Sequence, residues 1–519
     1  MTAAPAPVLV DVGPLSLEDV VAVARDGARV VLGDAAVAAL ARARDVVDRL
    51  ASAPTPAYGI STGFGALATR HIPTELRAQL QRSLVRSHAA GSGPEVEREV
   101  VRALMLLRLS TLATGHTGVR VGTARLLADL LDHGITPVVH EYGSLGCSGD
   151  LAPLAHCALA LMGEGTVRDA SGVLMPAADA LAAAGLTPVE LVAKEGLALI
   201  NGTDGMLGML AMAIADLRRL LRTADVAAAM SVEAQLGTDR VFAPELQAIR
   251  PHPGQALSAA NLTRLLAGSG VVASHRGPDC NRVQDAYSLR CAPQVHGAAR
   301  DTVEHAAVVA GRELASAVDN PVVLTDGEGR VESNGNFHGA PVGYVLDFLA
   351  IVAADVASMS ERRTDRFLDR SRSHGLPPFL AHDPGVDSGL MIAQYTQAAV
   401  VSELKRLAVP ASVDSIPSSA MQEDHVSMGW SAARKLRHSV DGLTRVVAIE
   451  VMTAARALEL RAPLEPAPAT AAVVRVLREG GVQGPGPDRH LSPEIEAAVS
   501  LVGSGAVLNA VHEVIGELA

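Results

Sequence analysis

Residues Gly143-Ser144-Leu145-Gly146-Cys147-Ser148-Gly149-Asp150-Leu151-Ala152-Pro153 crowd glycines and a proline around a Cys-Ser-Gly tripeptide, ahead of an apolar run from Leu154 to Met162. One reading is conformational. Glycines at this density let the chain turn where other residues cannot, and the turn feeds a helix capped by Asp150 or Ser148. The other reading is chemical. The amide nitrogen of Gly149 is unhindered, and a turn that presses it against the carbonyl carbon of Cys147 closes a five-membered ring. Loss of water from the ring and from the Ser148 side chain then leaves a dehydroalanine inside an imidazolone, an electrophile made from the chain itself. Glycine is needed third for access and serine second as the source of the alkene. Cys147 lends only its backbone, so its side chain hangs free.

The stretch from Gly143 through Pro153 to Leu154-Ala155-His156 resembles the signature of the aromatic amino acid ammonia-lyases, which carry this methylidene-imidazolone (MIO). Their commonest tripeptide is Ala-Ser-Gly; Cys147 departs from it at the position whose side chain cyclisation does not use. Family-like blocks run from about Tyr58 to Arg461, and the resemblance implies roles residue by residue. Tyr58, in Tyr58-Gly59-Ile60-Ser61-Thr62-Gly63-Phe64-Gly65, matches the base that removes the β-proton; without the resemblance this segment reads as a flexible connector. Asn201, in Ile200-Asn201-Gly202-Thr203, matches the residue that hydrogen-bonds the MIO or the substrate amine; its local alternative is an N-cap for a helix opening at Asp204. In Gln284-Asp285-Ala286-Tyr287-Ser288-Leu289-Arg290, Gln284 and Tyr287 match residues lining the site, and Arg290 can fork two hydrogen bonds to a substrate carboxylate. The family usually has Pro at Ala286, and on its own Arg290 reads as half of a surface ion pair. Phe337, in Gly335-Asn336-Phe337-His338, is placed beside the MIO by resemblance and otherwise passes as core.

Substrate choice rests on two further stretches. Gln422-Glu423 and Ser87-His88 both resemble the histidine-specific branch of the family, whereas phenylalanine and tyrosine lyases commonly lack that Glu and show Phe-Leu or His-Leu at the second pair. An imidazole has one donor and one acceptor nitrogen and needs polar partners, which His88 and Glu423 supply. The resemblance thus implies conversion of L-histidine to trans-urocanate and ammonia. It further implies an MIO formed autocatalytically from Cys147-Ser148-Gly149, with no metal and no external cofactor, and a homotetramer whose sites mix residues of several subunits. A tyrosine or phenylalanine lyase, or an aminomutase, is the alternative within the class. A catalytically silent helical scaffold is the alternative outside it, and the intact Ser148, Tyr58 and Arg290 argue against that.

Composition sets the frame around these residues. The chain has 519 residues, of which 49% are hydrophobic and only 2% aromatic, so its core must be aliphatic. Abundant alanine and leucine favour helix. The formal net charge of −12 argues against nucleic acid and anionic membranes as partners. Cys147, Cys157, Cys280 and Cys291 form no CxxC pair, there is no HExxH, and the 17 histidines show no ligand cluster. Neither disulfides nor structural zinc are expected, and a reducing cytoplasm fits. Met1 to Val12 has no Lys or Arg and does not read as a secretory signal. The uncharged run Gly205 to Ala215 reads as too short to span a bilayer.

The elements follow from periodicity and breakers. Ser16-Leu17-Glu18-Asp19 resembles a capping box opening a first helix, and Gly33-Asp34 opens a second that runs to about Ala51. Glu75 to Arg86, a segment opened by Pro94 with Val96, Val100, Leu104 and Leu107 on one face, and Val121 to His133 also read as helices. Beyond position 200 the helices lengthen: Asp204 to about Leu236, then near Ala298 to Ala317, Val342 to Arg363, Met391 to Leu407 and Trp430 to Leu460. The pattern points to an all-α fold, and the family resemblance implies a fumarase/aspartase-like one. Residues 1–200 form an N-terminal helical domain bearing the MIO loop, and residues 201–519 form a long-helix bundle with a C-terminal helical tail.

Overall fold

A computed structural model describes residues 5–53, 56–277, 280 and 283–519. Three expected segments, Met1 to Val12, Pro54 to Arg70 and Asp279 to Arg290, therefore lie partly outside the described residues. The chain is 58% helix and 6% strand, which makes it all-α. Two compact units interleave along it. One comprises Met1–Ala215, Ala307–Asp347 and Pro410–Arg434; the other comprises Asp216–Ala306, Phe348–Val409 and Lys435–Ala519. The helices Asp204–Ala234, Ala292–Leu314, Ala340–Leu368 and Gly429–Glu459 each contribute residues to both units. No single cut along the chain reproduces that division. The boundary at 200/201 marks where the long helices begin, and as a domain boundary it stays a proposal.

In the first unit the helices Leu17–Ala24, Asp34–Ser52, Arg77–His88, Arg98–Ala113, Val121–Asp132 and Leu151–Leu161 form where the sequence pattern puts them, to within a few residues. The capping box closes with Asp19 in place of Glu: Asp19 N donates to Ser16 Oγ at 3.0 Å, and Ser16 N donates to Asp19 Oδ2 at 2.9 Å. Pro94 corrects the expectation that it opens a helix. It lies in the strand Ser92–Glu95, which pairs antiparallel with His140–Tyr142 in a two-stranded sheet. Such an edge tolerates a residue without an N–H, and the helix starts after Glu97 instead. Three other small sheets, all short, occur among the described residues: Val8–Val10 with Val30–Leu32, Thr136–Pro137 with Thr166–Arg168 and Leu174–Pro176, and Val322–Leu324 with Arg330–Glu332. Val8 to Val12 reads in the sequence as a short extended piece, and its first three residues form such a strand; the other strands of these sheets carry no signal there.

The helix Arg98–Ala113 is buried along nearly its whole length, including Arg108. The Arg108 guanidinium donates to the carbonyls of Ala198 and Asn201 at 3.0 Å each and of Val318 at 3.1 Å, and pairs with Asp204 at 2.8 Å. Trp430, the chain's one tryptophan, is buried and donates from Nε1 to the Glu141 carbonyl at 2.7 Å. Its ring lies where a Cβ on Gly205 would fall, so the first turn of the helix Asp204–Ala234 must be glycine there.

The second unit is tied by buried polar groups between helices. The Glu450 carboxylate receives Arg363 at 2.5 and 2.8 Å and Ser231 Oγ at 2.7 Å. Glu233 accepts Ala467 N and Thr470 Oγ1, both at 2.6 Å, fixing the start of the tail. The tail helices Pro468–Glu479 and Ala506–Ile515 pack against each other.

By length and composition alone, Glu195–Ala234 and Ala340–Leu368 are long and apolar enough to cross a membrane. This corrects the reading that the run 205–215 is too short. The run continues through Asp204 and Asp216, whose charges are answered by Arg108 and Arg219. The apolar window of Glu195–Ala234 is wholly buried within the protein, the environment that a helix apolar on most sides requires.

Lys194 and Asp319, both fully buried in the first unit, meet at 2.5 Å. Burial pushes the lysine pKa down and the aspartate pKa up, against the attraction of each for the other. Lys194→Met leaves Asp319 without a partner in the interior. It should lower the unfolding free energy by roughly 3–5 kcal/mol in chemical denaturation, and the double variant Lys194→Met, Asp319→Leu should recover much of that. A loss below about 1 kcal/mol in the single variant would mean that the pair is immaterial to stability.

Candidate active site

The tripeptide sits in the turn between the strand His140–Tyr142 and the helix Leu151–Leu161. Gly149 adopts φ +78°, and a Cβ built on it would strike the backbone of Gly202. The close approach is fixed by a hydrogen bond from Asp150 N to the Gly202 carbonyl at 2.7 Å. Gly146, at φ +65°, is held from another side: its carbonyl accepts Ser427 Oγ at 2.7 Å and Gly339 N at 3.2 Å. Met428 N donates to the Leu145 carbonyl at 2.9 Å. Three distant segments thus clamp one turn.

Neither expected cap serves the helix Leu151–Leu161. Asp150 occupies the cap position but makes no side-chain bond to that helix. Its carboxylate instead accepts Gly205 N and Met206 N, both at 2.9 Å, and so caps the helix Asp204–Ala234. Its other oxygen takes Ser144 Oγ at 2.8 Å. Burial pushes the Asp150 carboxyl up to about 7 against the pull of these donors. Asn201 is not the N-cap of that helix either. Its Nδ2 donates to the Ser148 carbonyl at 3.3 Å, and its Oδ1 is buried without a hydrogen-bond partner.

Beside the turn lies a cavity of about 610 Å3 lined by Tyr58, His88, Ser148, Asn201, Ser419 and Glu423, among others. Glu423 Oε1 accepts Ser148 Oγ at 3.1 Å; its Oε2 accepts Ser418 Oγ at 2.8 Å and Cys147 Sγ at 3.3 Å. Burial and the neighbouring Glu423 push the Cys147 thiol up to about 12, so it keeps its proton. Tyr58 receives a hydrogen bond from Gly65 N on its phenolic oxygen at 3.3 Å. His88 Nδ1 lies 2.9 Å from the Leu84 carbonyl. A carbonyl only accepts, so Nδ1 carries the proton and Nε2 keeps a lone pair. Burial pushes the His88 pKa down, opposed by the Leu84 carbonyl and the Glu423 charge, which favours that neutral form.

The remaining expected residues are placed otherwise. Phe337 belongs to the same unit and is half-buried outside the lining of this cavity, two residues before the Gly339 amide that holds the Gly146 carbonyl. Gln284, Tyr287 and Arg290 belong to the second unit. Gln284 lines a cavity of about 340 Å3 there. Tyr287 is exposed at the start of the short helix Tyr287–Arg290, and the Arg290 guanidinium stacks 4.6 Å from the centre of its ring. No carboxylate pairs with Arg290 among the described residues, so the ion-pair reading fails; its Nε is buried without a partner.

With the turn and its cavity in view, comparison with known proteins is decisive. The profile of the aromatic amino acid lyases matches residues 15–479. The chain belongs to this family. It is 70% identical over 514 residues to the histidine ammonia-lyase of Streptomyces griseus, covering 99% of each chain. Among solved structures, histidine ammonia-lyase from Trypanosoma cruzi matches with a TM-score of 0.89 and 38% identity, over 98% of this chain and 95% of that one. Tyrosine aminomutase from Streptomyces globisporus matches with a TM-score of 0.92 and 37% identity, over 98% of each. The fold is therefore shared by members with different reactions, and backbone likeness alone does not choose among them. Membership makes the chain a carbon–nitrogen lyase of the MIO-dependent group.

The residues present fit that group. The nitrogen that must attack belongs to Gly149, whose Cα leaves no room for a side chain and bears none. Asn201 donates to the Ser148 carbonyl, the oxygen that survives cyclisation as the ring carbonyl. Sequence reasoning missed Ser418, Ser144 and Arg108. Ser418 lies in a polar loop with no periodicity, and the other two act through contacts 6 to 210 positions along the chain.

The Asp150 environment has a pH signature. Its folded pKa, about 7, lies above the ordinary 3.8, so the folded state holds the extra proton between those values. This contribution to stability is present at low pH and lost as pH rises through about 7. Asp150→Asn keeps the shape and both backbone acceptances. Thermal unfolding between those pH limits should show a smaller fall in Tm with rising pH for the variant than for the wild type; equal slopes would mean that Asp150 does not titrate there.

Proposed function

We propose that the chain eliminates ammonia from L-histidine to give trans-urocanate, using an MIO formed from Cys147-Ser148-Gly149. The observation that carries the substrate is the presence of His88 and Glu423 in one cavity with Ser148, supported by 70% identity to a histidine ammonia-lyase. The MIO supplies an electrophile that captures the substrate and so makes loss of ammonia possible. Asn201, hydrogen-bonded to the Ser148 carbonyl, polarises that electrophile. Tyr58, its oxygen fixed by the Gly65 amide, takes the β-proton. Arg290 binds the substrate carboxylate as a two-toothed donor, with Gln284 and Tyr287 lining its surroundings and Phe337 packing beside the MIO. The lone pair of His88 Nε2 and the Glu423 carboxylate are acceptors for N–H groups on the histidine ring and amine; phenylalanine brings the same amine but no N–H on its ring, which leaves one acceptor unpaired. A homotetramer working in the cytoplasm completes the proposal.

The test is a side-by-side assay of purified protein on L-histidine, L-phenylalanine and L-tyrosine, following ammonia and the arylacrylate. A site that leaves buried polar groups unpaired with the wrong ligand rejects it by about 10⁴-fold, so histidine should win kcat/KM by a margin on that order. His88→Phe should depress turnover of histidine more than that of phenylalanine. A wild-type preference for phenylalanine or tyrosine would overturn the substrate.

A further inference from the structure

The two oxygens of Glu423 have partners with different fates. Oε1 accepts Ser148 Oγ at 3.1 Å, its one hydrogen bond among the described residues; Oε2 accepts Ser418 Oγ at 2.8 Å and Cys147 Sγ at 3.3 Å. Ring closure joins Gly149 N to the Cys147 carbonyl carbon, and that carbonyl oxygen leaves as water with the Gly149 and Ser148 amide hydrogens. A second water forms from Ser148 Oγ, its proton and the Ser148 α-hydrogen, leaving the alkene. The hydroxyl on Oε1 is consumed, whereas Ser418 Oγ and Cys147 Sγ are untouched.

We infer that Cys147 is a positioning residue for Glu423: with Ser418 it holds Oε2, while formation of the electrophile itself strips Oε1 and frees it for the substrate. The inference rests on the MIO chemistry proposed above and adds a role for the one tripeptide side chain that cyclisation does not use. The backbone supports it. Ser418 and Glu423 pair through both their main-chain groups, at 2.9 and 3.3 Å, so the segment carrying the carboxylate is closed on itself. Cys147 is buried, with only 6% of its surface exposed, and its raised thiol pKa, about 12, keeps it a donor across the working pH range. With alanine at position 147, Ser418 alone would hold Oε2, and the carboxylate could turn about that single bond.

The test uses Cys147→Ala, Cys147→Ser, Glu423→Gln and the double variant Cys147→Ala, Glu423→Gln, each checked for the MIO by intact mass and near-UV absorbance. The first readout is spectroscopic and independent of activity. The infrared S–H stretch of Cys147, isolated by subtracting the spectrum of Cys147→Ala, should lie at low frequency in the wild type and move upward in Glu423→Gln as the acceptor weakens. The second is kinetic. Cys147→Ala should form the MIO yet lower kcat about three- to ten-fold, the size of one lost hydrogen bond, with little change in KM; Cys147→Ser should restore it. In the Glu423→Gln background, where the acceptor is weaker, the alanine substitution should have a clearly smaller effect than in the wild type. An S–H band unmoved by Glu423→Gln, additive kinetic effects, or failure of Cys147→Ala alone to form the MIO would each overturn the inference. A wild-type protein lacking the MIO would instead overturn the proposed function, and the S–H band would still test the hydrogen bond.

Discussion

The backbone of Gly149 lies against the backbone of Gly202 with no space for a side chain between them. Both the position of the reacting tripeptide and the need for glycine at its third place follow from that approach. Asp150 secures it twice, once through its amide to the Gly202 carbonyl and once through its carboxylate to the first amides of the helix Asp204–Ala234. A helix start presents unpaired N–H groups and a partial positive charge, so an aspartate following the turn is drawn to it. The turn is therefore anchored by the helix that begins two residues after Gly202, and not by the helix it feeds.

Behind Gly202 lies the Arg108 guanidinium, occupying the space a Cβ would need. It grips the carbonyls at the end of the helix Glu195–Ile200 and pairs with Asp204. Lys194 pairs with Asp319 in the same unit, and Thr203 Oγ1 donates to Glu313 at 2.5 Å. Buried charges of this kind are tolerated where their hydrogen bonds are met, and removing one partner strands the other. Their effect here is positional: the carbonyl that receives the Asp150 amide and the amide of Asn201 that reaches Ser148 are both fixed by groups that contribute nothing to the cavity.

The chemistry was legible in the sequence to the extent that it is local. Ser148 and Gly149 declare themselves because cyclisation demands those residue types in that order. The helix Met391–Leu407 was read to the residue, because apolar periodicity is written into seventeen consecutive positions. Tyr58, His88, Asn201 and Glu423 needed the family resemblance, since no spacing relates residues that meet only after folding. What stayed illegible was decided by long-range partners. Asp150 looks like the cap of the helix that follows it and caps another. Pro94 looks like a helix start and lies on a strand edge, because His140–Tyr142 pairs with it. Ser418 carries no signal at all until Glu423 is placed beside it.

The central claim is that this turn makes its own electrophile, and intact-mass measurement of the purified wild-type chain tests it most directly, with peptide mapping to place any change. The account predicts a mass two waters below that of the sequence, localised to the peptide holding Cys147-Ser148-Gly149. In Ser148→Ala, which has no side-chain hydroxyl to eliminate, the water lost at the alkene should remain. A wild-type chain at its full sequence mass, while converting histidine to urocanate, would contradict it.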